Sequence, residues 1–187
     1  GTDASFDVTR KANLKMADLY DGELYDSTVA ANDLKFKKAS VFSPRVNPRI
    51  YAECGSPVTE HEVLKPVSVV YYPERKETVY DFGQNMAGVI RFNIKRADKG
   101  QKVIIRHAEI LNPDGSLNTA FLRSAQATIT YICSEGKQSY CPTFTYMGFR
   151  YASVSGLAKE DIELEAVALY SDITERGDFS CSNEMLN

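Results

Sequence analysis

Apolar positions along this chain recur with a period of two, not 3.6. Ile90, Phe92 and Ile94 alternate with Arg91, Asn93 and Lys95, which turns one row of side chains inward and leaves the other in water. Val103, Ile105 and His107 alternate with Ile104, Arg106 and Ala108, and Ile129 and Tyr131 with Thr128, Thr130 and Ile132. Ile162, Leu164, Ala166 and Ala168 alternate in the same way with Glu163, Glu165, Val167 and Leu169. β-Branched and aromatic residues fill these runs, as half-buried strands require. Shorter, more polar strands are expected over Leu34 to Phe42 and Arg49 to Glu53.

Turn chemistry separates the runs. Asn112-Pro113-Asp114-Gly115 has Pro at the second and Gly at the fourth position of a type I turn, where fixed φ and freedom at positive φ are favoured. Ala97 to Gly100 and Ser134 to Lys137 punctuate similarly. Helix is nearly absent: one turn is expected within Phe121 to Ala127, and a capped helix start within Ser182 to Asn187. Short strands with regular turns predict an all-β fold. The expected architecture is an antiparallel, jelly-roll-like β-sandwich of about ten strands with very little helix. A boundary is expected between Gly55 and Pro66, where the polar strands give way to the strongly patterned block.

Composition narrows the function classes. The 187 residues are 43% hydrophobic and 25% charged, with a net charge of -3 spread evenly. Without a basic stripe there is no electrostatic footprint for nucleic acid. No apolar run reaches the roughly 18 residues a membrane helix needs, and Gly1 to Phe6 shows no basic or apolar leader region. Cys54, Cys133, Cys141 and Cys181 form no CxxC pair, and neither His61 nor His107 is near one of them in sequence, so a zinc site is not expected. Cys133 and Cys141 flank Ser134 to Lys137 and would face each other if that turn closes a hairpin; free thiols on strands are the simpler expectation.

Three constellations invite a chemical reading. In Tyr20 to Asp26, the carboxylates Asp21, Glu23 and Asp26 could meet sugar hydroxyls or a hard cation such as calcium, or could be the solvated acids of a turn. In Asp81 to Gly88, two glycines bracket Gln84 and Asn85, whose amides can grip a sugar or satisfy a buried loop. In Phe144 to Tyr151, the aromatics suit sugar stacking or a core. Arg150 between them points the other way, toward a carboxylate such as Glu109 or an interface. Glycoside hydrolysis needs two carboxylates about 5 to 10 Å apart; Glu23 with Asp26, or Glu109 with Asp114, are pairs that nothing in the sequence singles out.

Read together, these blocks resemble the bacterial α-L-rhamnosidases. Val79 to Gly88 is similar to that family's D-x-G-Q-N-x-x-G signature. Arg106 to Leu111, Asn112 to Leu117, Ala127 to Tyr131 (Thr130 standing where the family usually has Asp) and Pro142 to Tyr151 follow in the family's order. Asp18 to Asp26 resembles the end of the family's N-terminal domain, with Ser27 and Thr28 in place of the usual Ala and Arg. Phe179 to Asn187 looks like the entry to the catalytic domain.

The resemblance implies three parts. Residues 1–60 would be the end of an N-terminal β-domain, 61–180 an accessory β-sandwich, and 181–187 the approach to an (α/α)6 barrel that carries the catalytic acid and base. No catalytic residue is then expected in this chain, nor a metal or other cofactor, calcium entering only through relatives that use it in a sugar-binding module. The implied partner is the barrel of the same polypeptide, and the implied role is support for an enzyme that removes terminal α-L-rhamnose. The alternative is a module that binds rhamnose-containing glycans through Asp21, Glu23, Asp26, Gln84, Asn85 or Arg150. The compartment stays open, a periplasmic or secreted parent being the expectation.

Overall fold

A computed structural model describes residues 3–42 and 49–187; Gly1, Thr2 and residues 43–48, part of the expected first segment, lie outside the described residues. Twelve strands follow one another in these residues: β1 (Asp7–Val8), β2 (Leu14–Asp18), β3 (Gly22–Asp26), β4 (Lys37–Lys38), β5 (Val58–Leu64) and β6 (Ser68–Tyr72). Then come β7 (Glu77–Ile94), β8 (Lys102–Ala108), β9 (Thr128–Ile132), β10 (Gln138–Tyr140), β11 (Met147–Ser155) and β12 (Ile162–Ser171). Among the described residues, helical structure is limited to short 3₁₀ turns. The all-β sandwich expected from the period-two pattern is the fold.

Strands β1 and β4 form a small ribbon, and the other ten are joined in the order β2-β3-β9-β8-β11-β7-β12-β5, with β6 and β10 also on β7. All pairings are antiparallel except β3 with β9, which is parallel. The long β7 makes the sandwich. Its first part pairs with β6 on one flank and its last part with β12 on that same flank, while β11 and then β10 occupy the other. The two ends of β7 therefore belong to different layers, and the alternating rows meet between them.

Tyr80, Phe82, Ile90, Phe92 and Ile94 of β7 pack there with Val103, Ile105, Ile129, Tyr131, Phe149, Ile162 and Leu164, all buried. Phe92 meets Tyr131 edge to face across the gap at 5.3 Å, and Phe82 meets Phe149 of the neighbouring strand in the same way at 5.9 Å, the offset geometry that ring quadrupoles prefer. A second, smaller cluster of Val79, Ala108 and Leu117 sits outside the sheet, under the segment that follows β8. That segment opens with the expected Pro113 turn: Gly115 N–H donates to Asn112 O at 2.9 Å, and Gly115 has φ of 77°.

Three local expectations are corrected. Within Leu34 to Phe42 only Lys37–Lys38 is strand, and Arg49 to Glu53 forms none; these residues are largely exposed, and a strand without a buried face gains little from pairing. The turn before β8 runs Asp98 to Gln101, one residue later than expected, because Gly100 supplies the positive φ of 85° at its third position. Ser134 to Lys137 does not close a hairpin. Cys133 pairs its backbone with Gly100 and Gln101, whereas β10 crosses to β7 in the other layer. Cys133 is buried, Cys141 lies beside Arg91, and both are free thiols.

Candidate functional site

The six residues singled out in the sequence separate into two places. Asp21, Glu23 and Asp26 belong to β3 and the turn before it, but they do not converge. Asp21 is exposed at the turn, which the Asp18 carboxylate holds by accepting from the Tyr20 and Asp21 amides. Asp26 accepts from the Thr28 amide at 3.0 Å and its hydroxyl at 2.6 Å, and this holds it below the usual carboxylate range. Glu23 is fully buried against Tyr140, not solvated as a turn acid would be. Its Oε1 accepts from the Tyr140 hydroxyl and its Oε2 has no partner. Glu23 and Asp26, three apart on a strand, point to opposite faces.

Gln84, Asn85 and Arg150 do share a surface. Opposite Arg150 the register of β11 on β7 jumps: Phe149 faces Met86, while Tyr151 faces Asp81. Four residues of β7, Phe82 to Asn85, therefore stand against one residue of β11, a bulge that re-aims side chains. Asp81 binds across its base, with Arg150 Nε donating to Oδ1 at 2.8 Å and Nη2 to Oδ2 at 2.9 Å. This two-pronged pairing fixes orientation as well as charge. Asp81 Oδ1 also accepts from Gly83 N–H at 2.7 Å. The Arg150 contact, helped by the Gly83 amide, keeps the Asp81 carboxyl below its ordinary range despite partial burial. The Arg150 partner is thus Asp81, not Glu109.

The glycine in the bulge and the one beyond it have separate reasons. Gly83 sits at φ of 84°, and Gly88 lets β12 approach so closely that a Cβ there would lie 2.2 Å from the Val167 carbonyl oxygen. At the crest, Gln84 and Asn85 are exposed, and Asn85 donates to Glu109 Oε1 at 3.2 Å. Gly148 lies below that carboxylate. Tyr146 and Phe144, on the approach to β11, are 52% and 67% exposed, whereas Phe149 is in the main core and Tyr151 packs against the smaller cluster. The result is a surface of two exposed amides and one carboxylate over a base held by the Asp81–Arg150 pair, able to exchange hydrogen bonds.

Sequence reasoning missed three buried polar features. Tyr140 holding Glu23 joins residues far apart in sequence. His107 is buried against Phe149 at 5.0 Å, and its Nδ1 lies 2.8 Å from Ala127 O. Burial pulls its imidazole down to about 4, the Ala127 carbonyl only partly offsetting this. Tyr80 keeps a buried hydroxyl with no partner. The inward phase of His107 in its strand was the one visible signal. Among the described residues, no three histidine, cysteine or acidic side chains come together to hold a metal ion.

Residues 72–171 match the model of the bacterial alpha-L-rhamnosidase concanavalin-like domain. An alpha-L-rhamnosidase of Streptomyces avermitilis is 40% identical over 149 residues, 75% of this chain and 14% of that protein. One from Formosa agariphila is 30% identical over all of this chain, which covers 21% of it. The solved alpha-L-rhamnosidase from Dictyoglumus thermophilum superposes with a TM-score of 0.78 at 34% identity, over 90% of this chain and 20% of that one. The Streptomyces avermitilis enzyme complexed with L-rhamnose superposes with a TM-score of 0.77 at 32% identity, over 93% and 18%. This chain spans about a fifth or less of the length of these relatives.

Proposed function

This chain belongs to the bacterial α-L-rhamnosidase family, and from that premise we propose that it is a non-catalytic β-sandwich supporting the catalytic part of an enzyme that removes terminal α-L-rhamnose. By this reading residues 61–180 are the accessory sandwich, residues 1–60 end a preceding β-domain, and residues 181–187 lead toward an (α/α)6 barrel. The observation that carries it is the bulge from Phe82 to Asn85. Its backbone is pinned by Asp81 and Arg150, yet its exposed amides turn away from the sandwich. Exposed donors and acceptors on a base held by an ion pair suit an interface with a fixed partner, since little backbone order remains to be lost on docking.

The test is a double variant, Gln84→Ala with Asn85→Ala, made both in this chain and in the parent enzyme. Both side chains are exposed, so the melting temperature of the chain alone should not move. In the parent, melting temperature and turnover of an aryl rhamnoside should both fall. Unchanged behaviour of the parent would refute the docking role.

Carbohydrate binding at the same surface is the second reading, favoured by the convergence of Gln84, Asn85 and Arg150 there. Calorimetric titration with L-rhamnose, with and without calcium, separates the two: saturable heat abolished by the same double variant supports binding, and no heat at millimolar sugar removes it. Asp21, Glu23 and Asp26 offer no shared surface for such a ligand.

A further inference from the structure

The edge of a sheet presents a row of unpaired amides and carbonyls, which folded proteins cover or guard. β6 is such an edge. It pairs with β7 from Ser68 opposite Asp81 to Tyr72 opposite Glu77, and among the described residues no strand takes its other side. Val69 and Tyr71 stand opposite Tyr80 and Thr78, so they share the inward face of the layer. Tyr80 and Thr78 are 4% and 2% exposed, whereas Val69 and Tyr71 are 43% and 49%. Inward-facing residues left half in water mean that the sandwich is open at this corner. The other layer is open there too. β5 follows β12 only as far as Leu64 opposite Ala166, because Pro66 comes next but one, has no amide and cannot carry the ladder on. Ile162 to Glu165 thus have β7 on one side and, among the described residues, no strand on the other.

A groove runs along this gap. Two adjoining hollows of about 640 and 570 Å³ share Lys159 and Glu160 in their lining. Val69 and Tyr71 form one wall, and Leu157, Ile162 and Leu164 the other. β6 itself, Ser68-Val69-Val70-Tyr71-Tyr72, has no charge, proline or register shift to block a further strand, whereas β5, the outer strand of the other layer, carries Glu60, His61 and Glu62. Its five residues span roughly 17 Å. This chain covers about a fifth or less of its relatives' length, so a longer polypeptide of that kind has ample chain to supply a strand. We propose that an extended segment of the parent polypeptide, outside this chain, adds to β6 as a strand. Its backbone pairs with the open edge, and its alternate apolar side chains fill the groove against Val69, Tyr71 and Leu164. The inference rests on the reading above that a longer polypeptide carries this chain, and it concerns a different surface, since Gln84 and Asn85 line neither hollow.

The test is amide-resolved hydrogen–deuterium exchange by mass spectrometry, on the chain alone and on the full-length parent. Alternate amides of an edge strand face its open side. In β6 these should exchange quickly in the chain and on the order of 100-fold more slowly in the parent. Val69→Lys, which sets a charge in the groove, should return them to fast exchange in the parent while leaving the β8–β9 core of the chain as protected as before. Fast exchange of β6 in both native proteins would overturn the proposal without recourse to any variant, and so would parental protection that survives Val69→Lys. Protection that appears only as concentration rises would assign the edge to a second copy, which also overturns it. The Gln84→Ala and Asn85→Ala pair reports on the other surface: failure of that docking role leaves β6 protected in the parent, and failure here leaves the docking result standing.

Discussion

Lowering the pH should weaken this fold through His107 alone by an amount that can be isolated. The imidazole is buried on the inner row of β8, edge-on to Phe149, with Nδ1 at Ala127 O. Its folded-state value is about 4, down from 6.5, so between those values the unfolded chain takes up a proton that the folded chain refuses. Stability from this residue is complete above pH ~6.5, drains away as the pH falls toward 4, and is flat below. At roughly 1.4 kcal/mol per unit the loss is about 3 kcal/mol, equivalent to ~8 °C in melting temperature for a domain of this size.

The assay is urea unfolding between pH 3.5 and 8 for the native chain and for His107→Gln, which keeps a donor toward Ala127 but cannot titrate. Acidic groups such as Asp26 and Asp81, which also lose stability on acidification, contribute equally to both proteins and cancel in the difference. The native-minus-variant stability should fall by about 3 kcal/mol from pH 7 to pH 4. A flat difference, or one that grows on acidification, would refute the neutral buried histidine.

Other perturbations probe the remaining joints. Gly88→Ala puts a methyl 2.2 Å from the Val167 carbonyl, so β7 and β12 must part; a cost near the ~3 kcal/mol upper range of overpacking is expected in thermal melting, and a loss below ~1 kcal/mol would mean the strands are looser than described. Tyr140→Phe strips Glu23 of its one donor in the core, which should cost ~2 kcal/mol in denaturant unfolding; a double-mutant cycle with Glu23→Gln should show coupling, and strict additivity would deny the contact. Arg150→Ala removes both prongs holding Asp81, so amide exchange from Gly83 to Met86 should quicken while the β8–β9 core stays protected. Uniform exchange rates would show that the bulge does not need the pair.

Much of the fold was legible because a period of two in β-branched and aromatic residues leaves few alternatives once one face is buried. Ile90, Phe92 and Ile94, or Val103 and Ile105, declare their inner row locally, and the Asn112 to Gly115 turn declares itself by Pro and Gly. What was not legible depends on contacts distant in sequence. That β10 leaves β9 and joins β7 in the other layer cannot be read from Ser134 to Lys137, which look like any hairpin turn. The partner of Arg150 lay 69 residues away, on a strand whose register is broken by the very bulge the pair secures. Glu23 looked like a turn acid because nothing nearby in sequence announces Tyr140. The surface at Gln84 and Asn85 was visible as a motif, and the pair holding its base only as a structure.

The most direct test of a supporting, non-catalytic sandwich is hydrolysis of an aryl α-L-rhamnoside by the purified chain beside its full-length parent at equal molarity. The parent should release the aryl group and the chain alone should stay at the buffer rate; turnover by the chain that rises with its concentration would contradict the assignment.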